Sequence, residues 1–173
     1  MILVTLGTIP FPFDRAIDWV GTLLENGTIS EPVFVQYGVS NVAAIADHRL
    51  ITAESIIPSK DLMKLVDSSR LVISHAGQGS TRSLAERGVR FVLLPRLASY
   101  GEHIDDHQLL FAKSVEKMGV LSCASLKDLQ QSVLQPPSPF KGQLFAGPRL
   151  AEHLLKAYPS SLVKQHLLEG DCV

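Results

Sequence analysis

The chain has 173 residues, 46% of them hydrophobic and 19% charged, with a formal net charge of −1. That length supports one domain with a substantial core, and the near-neutral balance excludes a nucleic-acid binder that works through overall basicity. The two cysteines, Cys123 and Cys172, form neither a CxxC nor a zinc pattern, which fits a reducing, cytoplasmic setting.

Met1 runs straight into Ile2-Leu3-Val4 with no basic leader, so no signal peptide is expected. No apolar run is long enough to span a bilayer. Ile2–Leu6 reads as a buried strand. Pro10 and Pro12 keep the following loop extended. Phe13–Leu24 is predicted to be a helix, with Ile17, Val20, Leu23 and Leu24 on one face and Asn26-Gly27 at its end. Val33–Tyr37 is a second strand, and a short third lies near Leu50–Thr52. Lys60–Val66 is helical, with Ser59 as its N-cap. Leu71–Ser74 is a strand, Ser80–Arg87 a helix closed by Gly88, and Phe91–Leu94 a strand halted by Pro95. Asp105–Lys117 is a helix with Leu109, Leu110, Ala112 and Val115 as core candidates, ended by Gly119. Ser125–Val133 is a further helix, and 135–148 is a Pro/Gly-rich loop. The last stretch, Arg149–Leu168, is helical and broken at Pro159.

Strands that are apolar throughout and separated by helices indicate a Rossmann-like α/β fold, a parallel sheet covered on both faces. The expected division is a Rossmann-like domain over 1–148 and a helical tail over 149–173. Such sheets bind ligands beyond the carboxyl ends of their strands. That rule places Gly7-Thr8, Gly38, His75–Ser80 and Pro95-Arg96 along one edge.

The stretch LVISHAGQGSTRS is the most informative. Gly77 and Gly79 leave the main chain open to a ligand, and a helix starting near Ser80 directs unpaired N–H groups and a positive dipole end at the same spot. A diphosphate suits such a turn. A tight strand–helix connection with no ligand explains the glycines equally well. The pattern is neither GxGxxG nor a P-loop. In GTIPFPFDR, Gly7 and Thr8 can donate to a ligand and Arg15 can add charge, whereas Phe11 and Phe13 read as core anchors. In PRLASYGEHIDDHQ, His103 and His107 are four apart but no third metal ligand is evident, so no metal is expected; His107 or Gln108 is better read as a sugar or phosphate contact.

Together, SHAGQGS, the preceding PSKDLMKLVDSSRLVI and the following GVRFVLLPR and DDHQ resemble the C-terminal, nucleotide-sugar-binding half of family 28 glycosyltransferases, which have the GT-B fold. The opening VTLGTIPFPFDRAIDWV is similar to one branch of that family. The branch holds the small catalytic subunit of the two-part N-acetylglucosaminyltransferase of dolichol-linked oligosaccharide synthesis, and PssE-type exopolysaccharide glycosyltransferases. The resemblance covers roughly residues 1 to 120.

It implies a UDP-sugar donor, no cofactor and an inverting, metal-independent transfer. The diphosphate would meet Gly7, Thr8, Gly77, Gln78, Gly79 and Ser80, with Arg15, Arg96 and His107 nearby; His75 and Gln108 would face the reacting sugar. Many members carry a ribose-binding Glu where this chain has Ser83; Glu86 lies almost one turn later. The base comes from the other half of a GT-B enzyme, so a membrane-anchored acceptor-binding subunit is implied, with a lipid-linked acceptor and peripheral recruitment of the chain through that partner. Arg15 and Arg96 favour a glucuronate donor over N-acetylglucosamine, since a guanidinium pairs bidentately with a carboxylate. A non-enzymatic nucleotide-sugar-binding or regulatory subunit and an N-acetylglucosamine transferase subunit are the alternatives. An epimerase is disfavoured because epimerases carry both halves on one chain.

Overall fold

The computed structural model describes residues 1–144. Six parallel strands run β1 (Ile2–Thr5), β2 (Val33–Gln36), β3 (Ile51–Glu54), β4 (Leu71–His75), β5 (Phe91–Leu94) and β6 (Leu121–Ser122). They lie in the order β3-β2-β1-β4-β5-β6. The helices are α1 (Asp14–Glu25), α2 (Ser59–Ser68), α3 (Gln78–Arg87), α4 (His107–Glu116) and α5 (Leu126–Leu134), with a single 3-10 turn at Ala98–Tyr100. The α/β parallel sheet is therefore as the sequence indicates. The expected tail, 149–173, lies outside the described residues.

Period-two alternation builds two cores from one sheet. Ile2 and Val4, Val33 and Val35, Leu71 and Ile73, and Val92 and Leu94 face one side, where α1 and α5 supply Ile17, Val20, Leu23, Leu129 and Val133. Leu3, Val72, Phe91 and Leu93 face the other, where α2, α3 and α4 supply Val66, Leu84, Ala112 and Val115. The central strands are covered on both faces, so they read as unbroken apolar runs. The edge strand β3 is half-exposed and alternates.

Local chemistry fixes the helix ends. Ser125 caps α5: its Oγ accepts from Asp128 N–H, and the Asp128 carboxylate accepts from Ser125 N–H, a reciprocal capping box. Gly88 closes α3 in the left-handed region at φ 63°. Ser59, expected as the cap of α2, is instead its first residue, after Pro58. The helix expected over Asp105–Lys117 starts later, at His107, because Asp106 accepts from Ala98 N–H in the loop and Asp105 accepts from the N–H of His107, the first helical residue. Leu110, expected in the core, is 66% exposed. β6 escaped the sequence reading because two residues carry no period.

The two faces of α4 and the sheet give a direct check. Ile73→Ala should cost about 2–5 kcal/mol by urea unfolding, whereas Leu110→Ala should change stability by no more than about 0.5 kcal/mol.

Candidate functional site

The strand order reverses direction of winding at β1 and β4, which are neighbours, and their carboxyl ends open the crevice where such sheets take ligands. Four residues meet there with almost no side-chain bulk between them. Gly7 leaves β1 at φ 78°, and a Cβ on it would stand 2.9 Å from the His75 ring. A Cβ on Gly77 would stand 2.5 Å from His75 Nε2. Gly38, at φ 62°, is packed so that a Cβ would lie 2.6 Å from the Gly7 carbonyl. The imidazole is thus wedged between two backbone turns, and each turn has to be glycine.

Gln36, at the end of β2, locks the first turn. Its Oε1 accepts from Thr5 Oγ1–H at 2.9 Å and from Gly7 N–H at 3.1 Å. Its Nε2 donates to the carbonyls of Gly7 and Ser55, both at 2.9 Å. Sequence reasoning missed Gln36; the signal was a buried amide closing an apolar strand, VFVQ. His75 Nδ1 lies 3.3 Å from the Thr5 carbonyl. Burial pushes its pKa down from 6.5 to about 4, opposed by that contact and reinforced by the Arg96 charge. The ring is therefore neutral at pH 7, with Nδ1–H donating to Thr5.

Gly77 is the N-cap of α3. Its carbonyl accepts from Thr81 N–H at 2.9 Å and from the Thr81 hydroxyl at 2.8 Å. This is the first bond of the helix, so the N–H groups of Gln78, Gly79 and Ser80 precede it and have no intrahelical acceptor. Gln78 and Gly79 are exposed, and nothing lies within 4 Å of a Cβ built on Gly79. Thr8 is exposed on the adjoining turn. Gly7, Thr8 and Gly77–Ser80 thus share one edge, an arrangement of donors and positive dipole suited to an anion.

The arginines behave otherwise than expected. Arg96 is buried. Its Nη1 donates to the carbonyls of Phe11 at 2.7 Å and Glu102 at 3.0 Å, and its Nη2 to Leu6 at 2.7 Å. The guanidinium also lies over the Phe13 ring, 4.7 Å from its centroid. Burial lowers its pKa to about 10, against the favourable pull of Glu102, so it stays charged. Arg15 makes a two-pronged pair with the buried Glu102 carboxylate, both contacts at 2.8 Å, and donates to the Pro95 carbonyl at 2.9 Å. It sits between aromatic rings, 4.8 Å from Trp19 and 5.4 Å from Tyr100. Both guanidiniums are committed inside the protein, which removes the charge argument for a glucuronate donor. Glu102 is a second residue absent from the sequence reading: its buried carboxylate pairs with Arg15 and its charge favours the Arg96 cation.

Gln108 is buried at the start of α4, and its Oε1 accepts from Arg96 N–H at 3.3 Å. His107 is exposed and contacts Asp105. A third group beside His103 and His107, judged missing from the sequence, is therefore present in Asp105. Ser83 donates to the Met63 sulfur at 3.4 Å, and Glu86 is exposed and paired with Arg82.

The family model described as "Glycosyltransferase family 28 C-terminal domain" matches residues 1–139. The chain belongs to this family. Solved structures similar to this family 28 domain include ALG13, at 18% identity and TM-score 0.54 over 90% of this chain and 92% of that one. The glycosyltransferase SnogD from Streptomyces nogalater is similar at 18% identity and TM-score 0.53 over 78% of this chain, and MurG from Acinetobacter baumannii at 22% and 0.52 over 74%. The family 28 domain spans only 34% of the SnogD chain and 39% of the MurG chain. No curated protein matches it in sequence. These likenesses establish a shared GT-B-type half-domain fold.

Two outcomes follow from the burial of His75 and Arg96. His75 binds its proton more weakly folded than unfolded, so folding stability is full above pH 6.5 and is lost as the pH falls toward about 4. Between pH 7 and pH 5 the loss from this one group should be about 2 kcal/mol in urea titrations, and His75→Gln should remove that component. Arg96→Met leaves a ring of carbonyls without their donor and should cost about 3 kcal/mol or more in the same measurement.

Proposed function

We propose that this chain is the donor-binding catalytic subunit of a two-component inverting glycosyltransferase. It would take the sugar of a UDP-sugar and deliver it to a lipid-linked saccharide in polysaccharide synthesis. The observation that carries the reading is the meeting of the Gly7–Thr8 turn and the N-terminus of α3 at the β1/β4 crevice, in a chain of the family 28 C-terminal domain. Three free N–H groups and a helix dipole directed at one open spot suit a diphosphate in the ground state. They also suit the charge that grows on UDP as it leaves, which is where such donors lower a barrier.

The residues divide the work. The Gly77–Ser80 turn would hold the diphosphate, and Thr8 would close it from the other side. Gln108, fixed through Arg96 N–H, would orient the sugar. His75, neutral and wedged, would keep the two turns at a set separation while adding no charge. Arg15 and Arg96 hold the surrounding loops; with Glu102 they leave one net positive charge beneath the edge, favourable to a dianion at a distance.

The two-component reading is supported by the resemblance of VTLGTIPFPFDRAIDWV to the branch of the family that holds two-part transferases. In this reading the acceptor and the base come from a membrane-anchored partner, and 149–173 contributes to its docking. Among the described residues no helix is long and apolar enough to cross a membrane.

Excess UDP should raise the melting temperature, since a ligand at about 100 times its Kd stabilises by about 2.7 kcal/mol, and GDP and dTDP should do less. Gly79→Val should keep the parent melting temperature and lose the UDP shift, because its side chain enters open space where the phosphate would lie. A larger shift with GDP, or an undiminished UDP shift in the variant, would overturn the donor site. Sugar transfer by the isolated chain would overturn the two-component assignment.

A further inference from the structure

The loop between β5 and α4, with the first residue of α4, carries a second cluster of which the donor-site reading uses at most His107. His103, Asp105 and His107 alternate along it, and one donor atom from each lies within 4.8 Å of the other two. His103 Nδ1 is 3.2 Å from Asp105 Oδ1, and His107 Nδ1 contacts the same oxygen. We propose that these three side chains form a mononuclear site for a divalent first-row transition metal of the zinc type.

Spacing is the first argument. Zinc–nitrogen and zinc–oxygen bonds of about 2.0–2.2 Å put neighbouring ligands about 3–3.5 Å apart. The His103–Asp105 separation already has that value, and His107 Nδ1 shares the same carboxylate oxygen.

Order is the second argument. The His103 side chain is only 11% exposed, and its ring stacks on Phe11 with centroids 6.0 Å apart. The His107 ring meets it edge-on at 4.6 Å. Asp105 Oδ1 accepts from His107 N–H at 3.1 Å, which holds the carboxylate between the rings.

Donor type is the third argument. Two imidazoles and one carboxylate suit zinc, cobalt, nickel or copper and do not suit magnesium, which requires oxygen ligands. The side chains of Asp105 and His107 are 53% and 56% exposed, which leaves coordination positions open to solvent. A bound ion would tie the segment just after Glu102 to the first turn of α4. It would stiffen the loop whose other end holds Arg15 and Arg96. The cluster stands whether or not the sheet edge takes a nucleotide.

The test uses the full chain, stripped with chelator and then titrated with Co2+ while visible absorption is followed, with parallel melts in Zn2+ and Mg2+. One equivalent of Co2+ should develop ligand-field absorption, and Zn2+ should raise the melting temperature while Mg2+ does not. His103→Ala, Asp105→Asn and His107→Ala should each weaken Co2+ binding by at least about tenfold. His48→Ala should bind like the parent. Absence of stoichiometric uptake by the parent overturns the site, whatever the variants do. So does parental affinity in both His103→Ala and His107→Ala, which would put the ion on the chain's other histidines.

Discussion

A guanidinium buried beneath the carboxyl edge of the sheet is the constraint on which the rest of this structure depends. Burying a cation away from water is costly unless its donors are met. Arg96 meets that cost with main-chain carbonyls of Leu6, Phe11 and Glu102, which lie on two loops far apart in sequence. Those are the loops after β1 and after β5. Leu6 directly precedes Gly7, so the bond from Arg96 sets where the glycine turn begins. Gln108, which would orient a sugar, is held by the main chain of the same arginine. Only Nε of Arg96 lacks a partner among the buried side-chain nitrogens and oxygens described.

Glu102 completes the arrangement and draws in α1. Its carboxylate accepts both prongs of Arg15 and also Leu97 N–H at 2.9 Å. The pair is largely shielded, at 14% and 4% side-chain exposure. Screening is weak there, and a lone Glu102 or Arg15 would be an uncompensated charge. The result is a chain of two cations about one anion that fastens the first turn of α1 to the loops beside the crevice. An arginine at a ligand edge invites assignment to the ligand. Here the same geometry that brings both guanidiniums to the edge also turns most of their donors onto the protein itself.

The crevice itself is defined by what is missing from it. His75 fills the space that side chains on Gly7 and Gly77 would need. A neutral ring can do this without disturbing the electrostatics of the adjoining helix terminus, which is why its depressed pKa matters. Gly79 differs from these two: it faces open space, so packing does not require a glycine there. Within a family 28 domain, that contrast separates glycines that build the turn from the glycine that leaves room on it.

Much of the architecture was legible in the sequence, because it rests on local patterns. Unbroken apolar strands such as ILVT and FVLL, set between amphipathic helices, specify a parallel sheet covered on both sides. Glycines at strand ends mark the edge where its ligand belongs. The order of SHAGQGS, LLPR and DHQ then pointed to the family. What the sequence could not decide is which polar side chains pair with each other, because pairing is settled by contacts 29 to 90 positions apart in the chain. Gln36 and Glu102 carry no motif; each acquires its role from what folding sets beside it. Arg15 and Arg96 show the converse. Their charge is written in the sequence, but whether a charge serves a ligand or the fold depends on burial and on which carbonyls and carboxylates close around it, and only the tertiary structure determines that.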